Sequence, residues 1–367
     1  MKKFCCLLLF GLVALCGRSD ETAPPVRLAI VGLVHDHVGG FLPALAGRTD
    51  VQLVGIVEPN KKLGEETAAR FHLDPALFHP SLEDLLAKTK VEAVATFTST
   101  FDHRAVVEAC AARGIHVMME KPMAVSFADA QAMAAAATKG GIRIVVNYET
   151  TWYPSTHGAY ALAHDQHAIG DLRKIVVHDG HGGPAPFVSP YFMAWLGDPV
   201  LNGGGALTDF GCYGADLVTW LMDGKRPTSV FAVTQNLQPE VYTKVDDEAT
   251  IVLTYPRAQA IIQASWNWPT GRKDMEIYGQ TGALRLPDRS SLFLRKGDAP
   301  EAPAPAPALP AQSADSISYL VGVVRGKIQP AGLSSVAVNL VVSEILDAAR
   351  ESARTGRRVD LRASPDR

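Results

Sequence analysis

Cysteine is scarce in the body of the chain: of five in 367 residues, three fall at positions 5, 6 and 16, leaving only Cys110 and Cys212 beyond them. Two cysteines do not build a disulfide framework, and Cys110, on the apolar side of an expected helix, reads as a small core residue. A surplus of one charge is missing too. The formal net charge is -3 and the pI about 6.4, with no dense lysine or arginine stripe, so the electrostatic footprint of a nucleic-acid binder is absent. Long apolar runs are limited to residues 4–16, too short to cross a bilayer comfortably. What is present is a hydrophobic fraction of 47%, which at this length suits about two soluble domains.

The apolar run follows Lys2-Lys3 and precedes polar residues 18–22 and Pro24-Pro25, the layout of an export signal. Residues 1–19 are therefore expected to be a signal peptide and the protein to work in the periplasm or elsewhere outside the cytoplasm. Val13-Ala14-Leu15-Cys16 is an imperfect lipoprotein box, because Leu15 is bulky. Membrane attachment is expected only if Cys16 is lipidated.

From Val26 strand and helix patterns alternate, which predicts a doubly wound parallel sheet over residues 26–147. Strands are expected at 26–31, 51–57, 93–97, 115–119 and 143–146, and helices at 61–71, from Ser81, at 103–113 and, capped by Ser126 or Asp129, to Lys139. Past Asn147 the character changes. Strand-like segments at 172–177, 229–234, 249–254, 259–265, 275–278 and 292–295 follow one another with few helical patterns between them. Residues 148–362 are thus expected to form an α+β domain with a large open, mostly antiparallel sheet, whose free face suits a homo-oligomer. Helices are expected at 155–166 and 333–354, and an exposed alanine- and proline-rich loop at 299–311.

Two stretches carry the chemistry. Glu120-Lys121-Pro122 ends the strand at 115–119 and so delivers an acid and a cation to the edge of a parallel sheet, where open α/β folds bind ligands. Far downstream, Gly203-Gly204-Gly205 leads into a helix carrying Asp209 and Tyr213 four apart, on one face, with Asp216 nearby. An acid and a phenol on one face can handle a hydroxyl and its proton; a capping aspartate beside a packed tyrosine fits the same spacing.

The first strand-to-helix turn has only part of a dinucleotide fingerprint: Gly32 is in place, while Val34 and His37 stand where the second and third glycines belong. Glu58, ending the second strand, can accept from a ribose 2′-hydroxyl and would repel a 2′-phosphate. That favours NAD and leaves NADP open. His35 and His37 have no nearby cysteine or carboxylate cluster in the sequence to complete a ligand set, so no metal is expected.

Together these motifs resemble the Gfo/Idh/MocA oxidoreductases, over nearly the whole chain after the leader. Further points of similarity are His103, Asp247-Glu248-Ala249 and the closing segment 353–359. The resemblance implies a Rossmann domain holding NAD(P), with Gly32, Val34, His35, His37, Glu58, Thr98, His103, Glu120 and Lys121 along the cofactor. It implies that Lys121 lies beside the nicotinamide and that Asp209 is a substrate-side acid. The position of Tyr213 is a histidine in many members. The substrates implied are sugars, inositols and related polyols, held by a second domain in which Trp152, Tyr153, His178, His181, Trp195, Asp198 and Asn202 are candidates. Residues 246–248 read instead as a solvated lead into a strand.

For Tyr213 to act as a base near neutrality its pKa must fall by about three units, or roughly 4 kcal/mol, which one ammonium at about 4 Å supplies at an effective dielectric near 20. Lys121 is the expected source. Export sets a constraint, because little dinucleotide is expected outside the cytoplasm. A tightly held cofactor, reduced and reoxidised within each cycle, meets it. Two alternatives stay open: a glycoside-cleaving enzyme using transient oxidation and elimination, and a non-catalytic binding protein of the same fold.

Overall fold

A computed structural model describes residues 23–361; the expected signal peptide, Cys16 and the last residue of the expected second domain lie outside the described residues. Strands β1 (Val26–Val31), β2 (Val51–Val57), β3 (Phe78–His79), β4 (Ala93–Thr96), β5 (His116–Glu120) and β6 (Ile144–Asn147) form one parallel sheet in the order β3-β2-β1-β4-β5-β6. That order reverses direction between β1 and β4, and the crevice at such a reversal is where dinucleotide folds bind their cofactor. Helices α1 (Val38–Leu45), α2 (Lys61–Phe71), α3 (Leu82–Lys88), α4 (His103–Ala111) and α5 (Phe127–Gly140) connect the strands. Local chemistry sets their ends. Asn60, Ser81 and Ser126 each accept from a backbone N–H three residues on, at 3.2, 3.1 and 3.1 Å. Of the two capping candidates for α5, Ser126 is the cap and Asp129 lies in the first turn, where its negative charge faces the positive end of the helix.

The second unit begins with α6 (Pro154–Tyr160), which loosens into a π-turn over Ala161–Asp165 rather than running on as a helix through residue 166. β7 (Leu172–Gly180) follows. α7 (Pro190–Leu196), not expected from the sequence, comes next, and the one helix expected to carry Asp209 and Tyr213 is broken at Phe210 into the single turn α8 (Ala206–Asp209) and α9 (Gly211–Leu221). Then come β8 (Ser229–Gln235), β9 (Glu248–Thr254), β10 (Gln259–Ser265), β11 (Arg272–Gly279), β12 (Gly282–Leu286), β13 (Phe293–Lys296) and the two-residue β14 (Ala302–Pro303). The last of these gives the 299–311 loop one short edge pairing. With β15 (Val359–Asp360) they make a nine-stranded sheet, antiparallel except where β10 runs parallel to β7.

Helices α10 (Ser316–Val324) and α11 (Val336–Thr355) complete the chain, α11 beginning at its Ser335 cap and ending at Gly356, whose φ is 67°. α10 crosses back to the first unit. Its Ile317, Tyr319, Leu320 and Val323 share a core with Val26, Leu28 and Ile30 of β1, and Arg325 pairs with Glu92 at 3.0 Å. The run Tyr319-Leu320-Val321-Gly322-Val323-Val324 hides this helix in the sequence, since β-branched residues around a glycine read as strand.

Candidate functional site

β5 carries Glu120 and Lys121 to the C-terminal edge of the first sheet, and the loop 202–205 brings α8 and α9 of the second unit against them. Gly205 is essential to that approach: a Cβ there would stand 1.7 Å from the Asp246 carbonyl oxygen. The Asp246 carboxylate accepts from Gly205 N at 3.0 Å and Leu207 N at 2.7 Å, while buried Asp247 accepts from Leu237 N and Gln238 N at 2.8 and 2.7 Å. The expectation of a solvated acid run at 246–248 therefore fails. Both carboxylates replace solvent as partners for backbone N–H groups, and Asp246 fixes the segment that aims Asp209.

Lys121 Nζ forms an ion pair with the Asp209 carboxylate and donates to the Asp209 carbonyl at 3.0 Å, while Trp266 Nε1 donates to the other carboxylate oxygen at 3.0 Å. Burial opposes both charges. Each still wins its partner: the attraction of Asp209 raises the Lys121 pKa overall, and that of Lys121 lowers the Asp209 pKa overall. Tyr213 lies one turn beyond Asp209, as expected, but Lys121 does not activate it as expected. The ammonium sits 5.1 Å from the centre of the ring, committed to Asp209, and Lys273 lies 4.6 Å from the centre of the same ring. Burial first, then the neighbouring Cys212 and acidic groups, hold the phenol well above its ordinary pKa. Tyr213 rests as a neutral phenol.

Lys121, Asp209 and Tyr213 line a cavity of about 720 Å³ between the two units. Two expected substrate residues are there. Tyr153 donates from its hydroxyl to Glu149 at 2.6 Å, and His181 sits edge-on to Phe210 at 4.9 Å with its imidazole pushed toward the neutral form by burial. Trp152 instead lines an adjoining cavity of about 670 Å³ together with His37, Glu120 and Asn147. Trp195 and Asn202 face neither space. Trp195 packs on the His35 ring, and buried Asn202 spends its amide on Thr100, Leu196 and Gly204. His178 pairs with Asp274 at 3.0 Å, and Asp198 caps the backbone at 200–201 and meets Lys244 at 3.1 Å.

Sequence reasoning missed Lys273 and Glu149, which form an ion pair on the cavity wall, and Asp179, the cross-strand partner of Lys273. Asp179 is buried, neither carboxylate oxygen has a hydrogen-bond partner among the described residues, and burial pushes its pKa up to about 8. The alternation of 172–180 and 272–279 is a signal for two strands. Nothing in it says that they pair.

The cofactor edge is built as a Rossmann turn requires. Gly32 has φ 80°, and a Cβ there would meet Thr98 at 2.5 Å. Glu58, at the tip of β2, accepts from Leu33 N at 2.9 Å and Asn60 N at 2.8 Å, and borders a largely apolar cavity of about 640 Å³ with Pro59, Phe78 and His79. Its carboxylate keeps acceptor capacity for a ribose hydroxyl, so the residues present fit a dinucleotide at this end. At the other end stand Glu120 and Lys121. Between them the turn is covered by α7: Phe192 and Trp195 pack on His35, Trp195 Nε1 donates to the Val34 carbonyl at 3.3 Å, and Ser189 donates twice to the Asp36 carboxylate at 2.6 Å. His103 is buried beneath this edge, with its Nδ1 3.2 Å from the Met123 carbonyl, and lines none of the three cavities.

The fold and this edge define a dinucleotide-binding oxidoreductase architecture. Residues 26–148 match the model of the oxidoreductase family with an NAD-binding Rossmann fold, and residues 161–285 match the GFO/IDH/MocA C-terminal domain. The chain belongs to the Gfo/Idh/MocA family of oxidoreductases. It is 28% identical over 246 residues to a trans-1,2-dihydrobenzene-1,2-diol dehydrogenase of Xenopus tropicalis, covering 67% of this chain and 69% of that one. The corresponding enzyme of Bos taurus is 25% identical over 316 residues, 84% of this chain and 89% of its own. Among solved structures, an inositol dehydrogenase homologue from Azotobacter vinelandii complexed with NAD+ shares the fold with a TM-score of 0.81 at 19% identity, over 94% and 99% of the two chains. Aldose-aldose oxidoreductase from Caulobacter crescentus, complexed with glycerol, aligns with a TM-score of 0.78 at 24% identity, over 92% and 100%.

Proposed function

We propose that the protein interconverts a hydroxyl carbon and a carbonyl of a sugar, glycoside or polyol with NAD as cofactor, NADP being disfavoured by Glu58. The observation that carries this is the Lys121–Asp209 pair beside Tyr213 on the wall of the 720 Å³ cavity. A space of that size takes a small polar ligand, and the dihydrodiol, inositol and aldose named for the relatives all bear hydroxyl carbons. When bound, the dinucleotide supplies or takes the hydride. Lys121 and Asp209, both ionised, present a donor and an acceptor to a substrate oxygen. Tyr213, neutral, is in the form that gives a proton to a carbonyl, so the resting site is set for reduction. Oxidation of a hydroxyl requires the phenol to lose its proton and speeds up as pH rises.

Tyr213→Phe is expected to lower turnover by roughly 10²- to 10⁴-fold while dinucleotide binding, measured by calorimetry, is unchanged. Unchanged turnover removes Tyr213 from the reaction. Mass spectrometry of the supernatant from denatured protein tests for a retained cofactor. If no dinucleotide is found and none binds when added, the chain is a non-catalytic binding protein of this fold. The glycoside-cleaving alternative draws support from His181, a neutral imidazole on the same cavity wall and so a second base. Product analysis on a glycoside separates the two, by a keto-sugar in one case and a released free sugar in the other.

The leader supports export. The cover of α7 over the turn supports slow cofactor loss in a compartment that does not replenish it. Homo-oligomerisation through the outer face of the second sheet is supported by a row of partly or fully exposed apolar residues across four strands, Phe231, Val252, Ile261 and Val176, brought side by side by the strand registers.

A further inference from the structure

The carboxylate inside the His35-Asp36-His37 turn is taken up by Ser189, but the fold supplies another. β5 brings Glu120 to both imidazoles, and one ligand atom from each of His35, His37 and Glu120 lies within 4.8 Å of the others. His37 Nδ1 and Glu120 Oε2 are 2.9 Å apart. Donors about 2.0–2.1 Å from one tetrahedral ion stand roughly 3.3 Å apart, so a shift of a few tenths of an ångström turns this contact into a shared metal edge.

We propose that His35, His37 and Glu120 form a binding site for one divalent transition-metal ion of the zinc type. Two imidazoles and one carboxylate select such ions over magnesium or calcium, which favour all-oxygen shells. The carboxylate is oriented as metal ligands usually are. Trp152 Nε1 donates to Asn147 Oδ1 at 2.9 Å, which turns the amide so that Nδ2 donates to Glu120 Oε1 at 2.8 Å and leaves Oε2 toward the histidines. His35 is 1% exposed, and its Nε2 has no hydrogen-bond partner among the described residues. Its Nδ1 accepts from His37 N at 3.3 Å, so the ring is a buried imidazole with one nitrogen unused. The His37 side chain is 50% exposed and gives an ion a way in. Lys121, whose charge reaches both His35 and Glu120, does not oppose the site with an uncompensated charge, because Asp209 is paired with it.

The test is a calorimetric titration of chelator-treated, dialysed full-length protein with zinc chloride, with no dinucleotide present, so that it reads the same whether or not the oxidoreductase reading holds. One ion per chain is expected. His37→Ala, which alters a half-exposed side chain, and Glu120→Gln, which keeps the shape and the Asn147 contact, are each expected to weaken binding by at least about tenfold. Melting curves without metal confirm that both variants fold. Absence of stoichiometric binding to the parent protein overturns the site, and so does binding that both folded variants retain at full strength.

Discussion

Tyr213 stands between two lysines, and they come from opposite kinds of structure. Lys121 is delivered by the tip of a parallel strand; its side chain is 6% exposed and its partner Asp209 is 9% exposed. Lys273 comes from the antiparallel β11, is 23% exposed and pairs with Glu149, which is 51% exposed. The ring distances differ by only half an ångström, but the surroundings of the two cations differ greatly. A buried ion pair cannot lose one member without stranding the other, whereas water takes over for a half-exposed one. The inner lysine is therefore part of the scaffold as well as the site. The outer one adjusts a site that already stands.

The largest test of that contrast is Lys121→Met. It leaves the Asp209 carboxylate buried with Trp266 as its remaining side-chain donor, and is expected to cost roughly 3–5 kcal/mol of stability in denaturant unfolding, along with nearly all turnover. A loss under about 1 kcal/mol would show that Asp209 takes up a proton or water with ease, and the distinction between the lysines would collapse. Lys121→Met with Asp209→Asn is expected to regain part of the stability but none of the activity.

The same contrast explains what could be read from the chain. In the first unit each strand tip is followed by a loop of a few residues, so local pattern and function coincide: β1 and β2 end where periodicity puts them, and Glu58, Glu120 and Lys121 follow from strand ends alone. In the second unit the site is assembled across long separations. Asp179 and Lys273 meet because β7 pairs with β11, 94 residues later in the register, and no property of either strand announces that partner. Trp195 and Asn202 look like sugar-binding residues in composition but are claimed by the cofactor turn and the 202–205 loop. Tyr213 was legible as a member of the site. Its protonation state was not, because burial is its leading cause and only packing reveals burial.

Asp179, behind Lys273, gives a test of intermediate size. Burial first, with Asp274 and Glu149 adding to it, raises its pKa from 3.8 to about 8. Between those values the folded state holds a proton that the unfolded state has lost, so this group's contribution to stability falls as pH rises, by about 1.4 kcal/mol per unit. Asp179→Asn, neutral throughout, is expected to flatten the fall of melting temperature across this range. An unaltered profile would mean that Asp179 is ionised in the fold, with Lys273 as its partner.

Lys273→Met carries the smallest expected effect and bears most directly on the comparison. The Lys273–Glu149 pair is exposed enough that its loss is expected to change stability by less than about 1 kcal/mol. Its ammonium also lies over the Tyr213 ring, a contact worth about 0.5–2 kcal/mol, so turnover is expected to fall by roughly 2- to 30-fold with dinucleotide affinity unchanged. Lys273 is the leading charge that pulls the Asp179 pKa down. Removing it should carry the alkaline end of the Asp179 transition in melting temperature to higher pH. A Lys273→Met enzyme as inactive as Tyr213→Phe would place this lysine on the substrate, and the outer wall of the cavity would then be as catalytic as the inner one.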